Sequence, residues 1–142
     1  MKASNHIDFS MEPVIETTDT EVWFADHILY INVKPGAEID LEAAKNHLGE
    51  WKNFLMLNHS MDNFAMIIDI SGLKSITREA RIYYTKEQEL MAKSLAFLTA
   101  SPLSKIIGNF FMSFGKSKAP MRIFSNNDDA IAWSKKNLHN LN

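Results

Sequence analysis

The sequence predicts a single α/β domain with a mixed five-stranded sheet, on the basis of three observations. Its 142 residues are enough for one domain that buries about 70% of the surface of the unfolded chain. Strand-like runs alternate with amphipathic stretches in the order β-β-α-β-α-β-α-β-α, which favours parallel pairing through right-handed crossovers. Residues 64–70 are apolar on both faces for most of their length, as expected of a strand in the middle of such a sheet.

The composition excludes several classes of protein. The absence of cysteine excludes disulfides, thiolate zinc sites and cysteine nucleophiles. A net charge of −2 with both signs scattered gives no electrostatic footprint for nucleic acid. The first ten residues do not resemble a signal peptide, and no apolar segment is long enough to span a bilayer. We therefore expect a soluble cytoplasmic protein that is not stably inserted in a membrane.

The N-terminal half begins with an arm and a hairpin. Residues 1–12 are polar and unpatterned, and Pro13 separates this arm from a domain at 13–142. We expect the arm either to fold back onto its own domain or to contact a second copy of the chain. Strands at 20–25 and 28–33 flank Asp26 and His27, which tolerate the positive φ of a tight turn. After the break at Lys34-Pro-Gly36 comes an N-cap at Asp40 and a helix with the apolar residues Leu41, Ala44, Leu48, Trp51 and Leu55.

The C-terminal half continues the alternation. Asp69, at the end of the central strand, is expected to accept hydrogen bonds from the turn between Gly72 and Ser75. The next predicted elements are a helix from about Thr77, a strand at 95–99, a helix opened by Ser101 and Pro102, and a strand at 121–124. A variant capping box from Ser125 to Asp128 opens the last helix, which carries Ala130, Ile131, Trp133 and Leu138.

The segment Asp69-Ile-Ser-Gly-Leu-Lys-Ser-Ile-Thr77 resembles the strand-to-helix junction of STAS domains, the anti-sigma-factor antagonist fold. Ser101-Pro-Leu-Ser-Lys-Ile-Ile-Gly-Asn-Phe-Phe111 and Pro120-Met-Arg-Ile-Phe124, with Trp133, are similar to an uncharacterised bacterial group of small SpoIIAA-like proteins. The resemblance covers about residues 14–138. It implies a SpoIIAA-like fold and a non-enzymatic module that acts through protein contacts, as a homodimer or with another regulatory protein.

The resemblance also implies a switch region, but this chain departs from it. In phosphorylated STAS antagonists the kinase target is a serine in an Asp-Ser-Ser-Gly turn, and the matching positions here are Thr77, Arg78, Glu79 and Ala80. The phosphoacceptor is therefore missing. Glu79 is either a permanent substitute for a phosphoserine or an ordinary glutamate in a first helical turn. The candidate interaction residues of this region are Ser71, Lys74, Ser75, Thr77, Arg78 and Glu79.

Two other sites are open to alternative interpretations. The first is a group of hydroxyl and cationic residues expected just beyond the strand ends: Lys34, Ser71, Ser101 and Ser125, with Lys74, Thr77 and Arg78. These residues form a small anion site, or the hydroxyls are only N-caps and the lysines are only solvated. The predicted helix from Pro102 to Phe114 has an apolar arc of about 140°. This arc faces the core, or it is an apolar-ligand or dimer surface at Ile107, Phe110, Phe111 and Phe114. A CRAL-TRIO-like carrier of a small apolar or lipid-like ligand is the alternative function.

No pattern points to catalysis or to a cofactor. The sequence has no glycine-rich phosphate loop, no G-x-S-x-G elbow and no suggestive pair of carboxylates. The histidines lack the spacing of metal ligands: His6, His27, His47, His59 and His139. We expect neither an enzyme, nor a metal site, nor a cofactor.

Overall fold

The structure, a computed structural model, describes residues 7–88, 92–100, 102, 105, 106, 109 and 119–139. The strands in this part of the chain are β1 Ile15–Glu16, β2 Thr20–Ala25, β3 Ile28–Val33, β4 Ala37–Ile39, β5 Ala65–Asp69, β6 Leu73–Ile76, β7 Leu95–Leu98 and β8 Met121–Phe124. The long helices are α1 Leu41–Leu57, α2 Arg78–Gln88 and α3 Asn127–His139.

The main sheet has six strands in the order β1-β2-β3-β5-β7-β8. Strands β1, β2 and β3 pair antiparallel, whereas β3, β5, β7 and β8 are parallel. The prediction of a mixed α/β sheet is confirmed, and β5 lies between β3 and β7 as its two apolar faces indicated. The number of strands was wrong, because β1 has only two residues and so shows no period-two pattern.

A second sheet was not predicted at all. Strands β4 and β6 pair in parallel, with Ala37 opposite Leu73 and Ile39 opposite Ile76. Each strand has four residues or fewer. Their pairing joins segments that are distant in sequence, so local patterns could not predict it.

Local signals for turns and caps were more informative. Asp26 and His27 have φ values of 53° and 63° and form the predicted hairpin turn. The Asp40 carboxylate accepts a hydrogen bond of 2.9 Å from the Ala43 amide and caps α1. The last helix begins one residue later than predicted, because Asn126, and not Ser125, accepts a hydrogen bond of 2.9 Å from the Asp129 amide.

Side chains alternate between the two faces of the sheet, and each face has its own core. Leu29, Ile31 and Val33 of β3 pack with α1 and α2. Ile28 and Tyr30 of the same strand pack with α3, and Ile7 of the arm joins this second core.

The N-terminal arm, where it is described, folds back onto its own domain. Ile7 is buried, and the Phe9 ring makes edge contacts with Trp23 and Tyr30 at centroid distances of 4.9 and 4.7 Å. The Trp23 Nε1–H donates a 3.0 Å hydrogen bond to the Met11 carbonyl. The arm therefore covers aromatic residues of β2 and β3.

The predicted helix between Pro102 and Phe114 falls largely outside the described residues. Pro102, Lys105, Ile106 and Asn109 are helical. Ser101 and the proposed ligand or dimer residues lie outside the described part: Ile107, Phe110, Phe111 and Phe114.

Candidate functional site

The end of β5 is held by close backbone contacts. Asp69 Oδ1 accepts a 3.0 Å hydrogen bond from the Ser71 amide. The expected donor was an amide between Gly72 and Ser75, so the observed donor lies one residue before that turn. A Cβ added at Gly72 would lie 2.5 Å from the Val33 carbonyl oxygen. The Gly36 amide donates a 2.8 Å hydrogen bond to the Gly72 carbonyl. Only glycine allows the two chain segments to approach this closely.

Strand β6 and the start of α2 form the rest of this junction. The Thr77 amide donates a 2.9 Å hydrogen bond to the Ile39 carbonyl, which extends the pairing with β4. The Thr77 hydroxyl accepts a hydrogen bond of 3.2 Å from the Ala80 amide and caps α2, as the sequence indicated. Buried Leu73 and Ile76 anchor the segment.

The polar side chains of the junction point outward. Ser71 is half-buried, and five of the predicted interaction residues are exposed: Lys74, Ser75, Thr77, Arg78 and Glu79. Lys74 Nζ lies 3.1 Å from the Glu38 carboxylate. We call the exposed surface formed by these five residues the junction surface. It is a polar surface next to the buried residues Leu73 and Ile76.

The candidate anion site contains lysines that already contact acceptors. Lys34 Nζ lies 2.9 Å from Glu16 Oε2 and 2.9 Å from the Thr17 carbonyl. Together with the Lys74–Glu38 pair, this partly neutralises the positive charge at the strand ends. Ser125 is exposed.

A polar cluster that the sequence did not reveal lies between α1, α2 and the turn before β2. The Nδ1 atom of His47 on α1 is 3.0 Å from the hydroxyl of Tyr84 on α2. On the other side of the ring, Nε2 is 3.7 Å from the Asp19 carboxylate. His47, only 4% exposed at its side chain, thus connects a loop with two helices.

Trp51 completes the cluster. Its ring stacks on His47 and on Tyr84, with interplanar angles of 17° and 15° and centroid distances of 6.1 and 5.9 Å. Each of these aromatic residues is buried. Stacking of this kind fixes the imidazole ring in one plane, between the phenol and the carboxylate.

Burial shifts the pKa values of both His47 and Tyr84. Desolvation lowers the pKa of His47, although the charges of Asp19 and Glu50 oppose this effect. Desolvation also raises the pKa of Tyr84 well above its usual value. At neutral pH the imidazole is uncharged and the phenol is protonated. One hydrogen bond joins Nδ1 to the Tyr84 hydroxyl, and the tautomer of the imidazole determines which of the two atoms donates.

An open groove of about 650 Å³ lies beside this cluster, between α1 and the loop before β2. Ile15, Phe54 and Leu57 provide apolar lining, and Leu57 is 71% exposed. The polar cluster reaches the groove through Asp19 and His47. The groove thus combines a small apolar patch with a mostly polar lining.

Gly49 of α1 also lines the groove. A Cβ added there would meet nothing within 4 Å, so no packing within the described part of the chain requires glycine. Glycine in a helix interior costs about 1 kcal/mol relative to alanine. Because Gly49 has no side chain, this side of the groove stays open.

Sequence reasoning missed the cluster because its parts are distant in sequence. The sequence placed His47 only among histidines without metal-ligand spacing, and Tyr84 only within the predicted helix from about Thr77. One usable signal was present. His47 lies three residues after Ala44 and four before Trp51, which places it on the buried face of α1.

Searches for other kinds of site give little in the described residues. No group of three or more His, Cys, Asp or Glu residues there is arranged to hold a metal ion. None of the described helices is both long and apolar enough to cross a membrane.

The fold resembles that of a solved structure, an uncharacterized protein from Shewanella loihica PV-4 of the DUF3478 family with a SpoIIAA-like fold. The match has a TM-score of 0.59 and 13% sequence identity, and covers 87% of this chain and 98% of that chain. At this identity the likeness shows the fold alone, and it defines a SpoIIAA-like α/β protein. The chain belongs to the family of domains of unknown function DUF7793, whose model matches residues 22–138. No curated protein matches the sequence.

Proposed function

We propose that the protein is a non-enzymatic, STAS-like interaction module of the cytoplasm, and that the junction surface is its contact site. One observation carries the proposal. Buried Leu73, Ile76 and Ala80 anchor this segment in the core, while five neighbouring polar residues are exposed. A preformed surface loses little conformational entropy when it binds a partner.

The contact is proposed to be constitutive, without a phosphorylation switch. Thr77, the hydroxyl residue at the position matched to the phosphoacceptor turn, caps α2 through the Ala80 amide. Glu79 lies in the first turn of the same helix, where the dipole favours negative charge. Arg78 and Glu79 offer adjacent opposite charges, which suit a partner with complementary charges, including a second copy.

The alternative carrier function has weaker support. An apolar cavity between the sheet, α1 and α2 measures about 40 Å³ and is lined by Ile31, Ile68, Trp51 and Phe97 among others. Pockets for small organic ligands measure about 300–1,000 Å³. This cavity has room for little more than water.

Site-specific photo-crosslinking tests the proposed contact. A photoreactive amino acid is placed at Ser75 on the junction surface or at Ala132, an exposed control position on α3. We expect crosslinks to a defined partner, or between two copies, from position 75 only. Equal crosslinking from both positions, or none from position 75, would contradict the proposal.

A charge exchange provides the second test. Arg78→Glu with Glu79→Lys inverts the local charge pattern and keeps the net charge. Asp62→Lys with Lys136→Glu is the matched exchange at two exposed residues elsewhere. Only the first exchange should abolish crosslinks to a different protein. If the partner is a second copy, the exchanged surface stays self-complementary, and only crosslinks between an exchanged and an unchanged chain should be lost.

A further inference from the structure

The groove between α1 and the loop before β2 contains an incompletely paired carboxylate. The Asp19 side chain is only 21% exposed. Its one ion-pair contact among the described residues is His47 Nε2 at 3.7 Å, too long for a good hydrogen bond. No lysine or arginine of the described part forms an ion pair with it.

The histidine does not supply the missing positive charge. Burial beside Trp51 and Tyr84 lowers the pKa of His47 and keeps the ring neutral at neutral pH. Asp19 thus remains a mostly buried negative charge next to a neutral ring. In such surroundings a charge is screened less than at the open surface and interacts more strongly with a ligand.

The other charged side chains that line the groove are more exposed than Asp19. Lys45 and Glu50 both line it and are exposed, so their opposite charges largely offset each other. The charge preference of the groove is therefore determined mainly by Asp19. Ile15, Phe54 and Leu57 provide apolar lining in the same groove.

We propose that this groove binds a small organic amine, with the protonated amine on the Asp19 carboxylate and an apolar group against Phe54. Space for the ligand is present, since about 650 Å³ is open and Gly49 places no side chain there. The site is separate from the junction surface and does not depend on the proposed function.

Probes of matched shape and different charge test the proposal. Phenylethylammonium, 2-phenylethanol and 3-phenylpropionate are titrated into the isotope-labelled full chain, and amide shifts are followed by NMR. We expect the cation to bind with a Kd of about 1 mM, and about tenfold more tightly than the other two probes. The shifts should map to α1 and to the loop around Asp19.

Two variants locate the site. Asp19→Asn should remove the preference for the cation, whereas Asp62→Asn, the same charge change at an exposed residue, should leave it intact. Gly49→Leu extends a side chain into the groove from a position where an added Cβ meets nothing within 4 Å, and should block the cation without unfolding the protein. This second variant keeps the test valid if Asp19→Asn does not fold.

Several results would overturn the proposal. They are equal binding of the three probes, shifts that map elsewhere, or cation binding that survives Gly49→Leu. A lysine side chain of a partner protein is a different occupant. If N-acetyl-lysine amide binds at least about tenfold more tightly than phenylethylammonium, the groove recognises protein and not a small amine.

Discussion

The hydroxyl of Tyr84 lies 3.0 Å from Nδ1 of His47 and joins helix α2 to helix α1 through a buried hydrogen bond. This contact connects the two helices on one face of the sheet at a point where both polar groups are shielded from water. Removal of either partner leaves the other unsatisfied. The stability of this face should therefore depend on the protonation state of His47 and on the phenol of Tyr84.

We predict that the free energy of unfolding falls as the pH is lowered through the range just below about 6.5, the pKa of an unperturbed histidine. In the folded state the pKa of His47 lies below that of the unfolded chain. The unfolded state therefore binds the proton first, and acid favours unfolding. Urea titrations at a series of pH values measure the effect. His47→Gln should flatten the profile in this range, and an unchanged slope would contradict the prediction.

Tyr84→Phe should lower the free energy of unfolding by about 1–2 kcal/mol, because Nδ1 of His47 loses its buried partner. Tyr83→Phe is the matched control, since Tyr83 is half-buried on the same helix and its hydroxyl forms no hydrogen bond with a described residue. Chemical denaturation of both variants compares them. Equal effects at positions 83 and 84 would show that the hydrogen bond contributes nothing.

Two glycine substitutions should have opposite effects. Gly49→Ala should raise the free energy of unfolding by up to about 1 kcal/mol, because the new methyl group meets nothing and alanine favours the helix. Gly72→Ala should lower it by about 1–3 kcal/mol, because its Cβ would collide with the Val33 and Lys34 backbone. Thermal unfolding measures both. A melting temperature that moves in the same direction for the two variants would contradict this pair of predictions.

The arm should contribute to stability through Phe9. Phe9→Ala removes edge contacts with Trp23 and Tyr30 and should cost about 1–2 kcal/mol, since the ring is 41% exposed. Met11→Ala, at a residue that is 63% exposed, should change stability by less than about 0.5 kcal/mol. Denaturation followed by tryptophan fluorescence checks both variants. A larger loss from Met11→Ala would mean that the arm is held differently.

The sequence predicted best where the cause is local. Asp26 and His27 tolerate positive φ, and Asp40 and Thr77 cap helices through their own side chains. The interaction residues at the junction were chosen from a resemblance, and their function stays a prediction. The structure adds that five of them are exposed.

By itself, the sequence determined the α/β class, the central position of β5 and the starts of α1 and α2, because periodicity and capping act over a few residues. Only the tertiary structure decided the pairing of β4 with β6 and the cluster of Asp19, His47, Trp51 and Tyr84. Short strands carry no periodic signal, and a histidine on an apolar stripe acquires its partners only when separate elements pack together. Burial and charge at such a site depend on the whole fold.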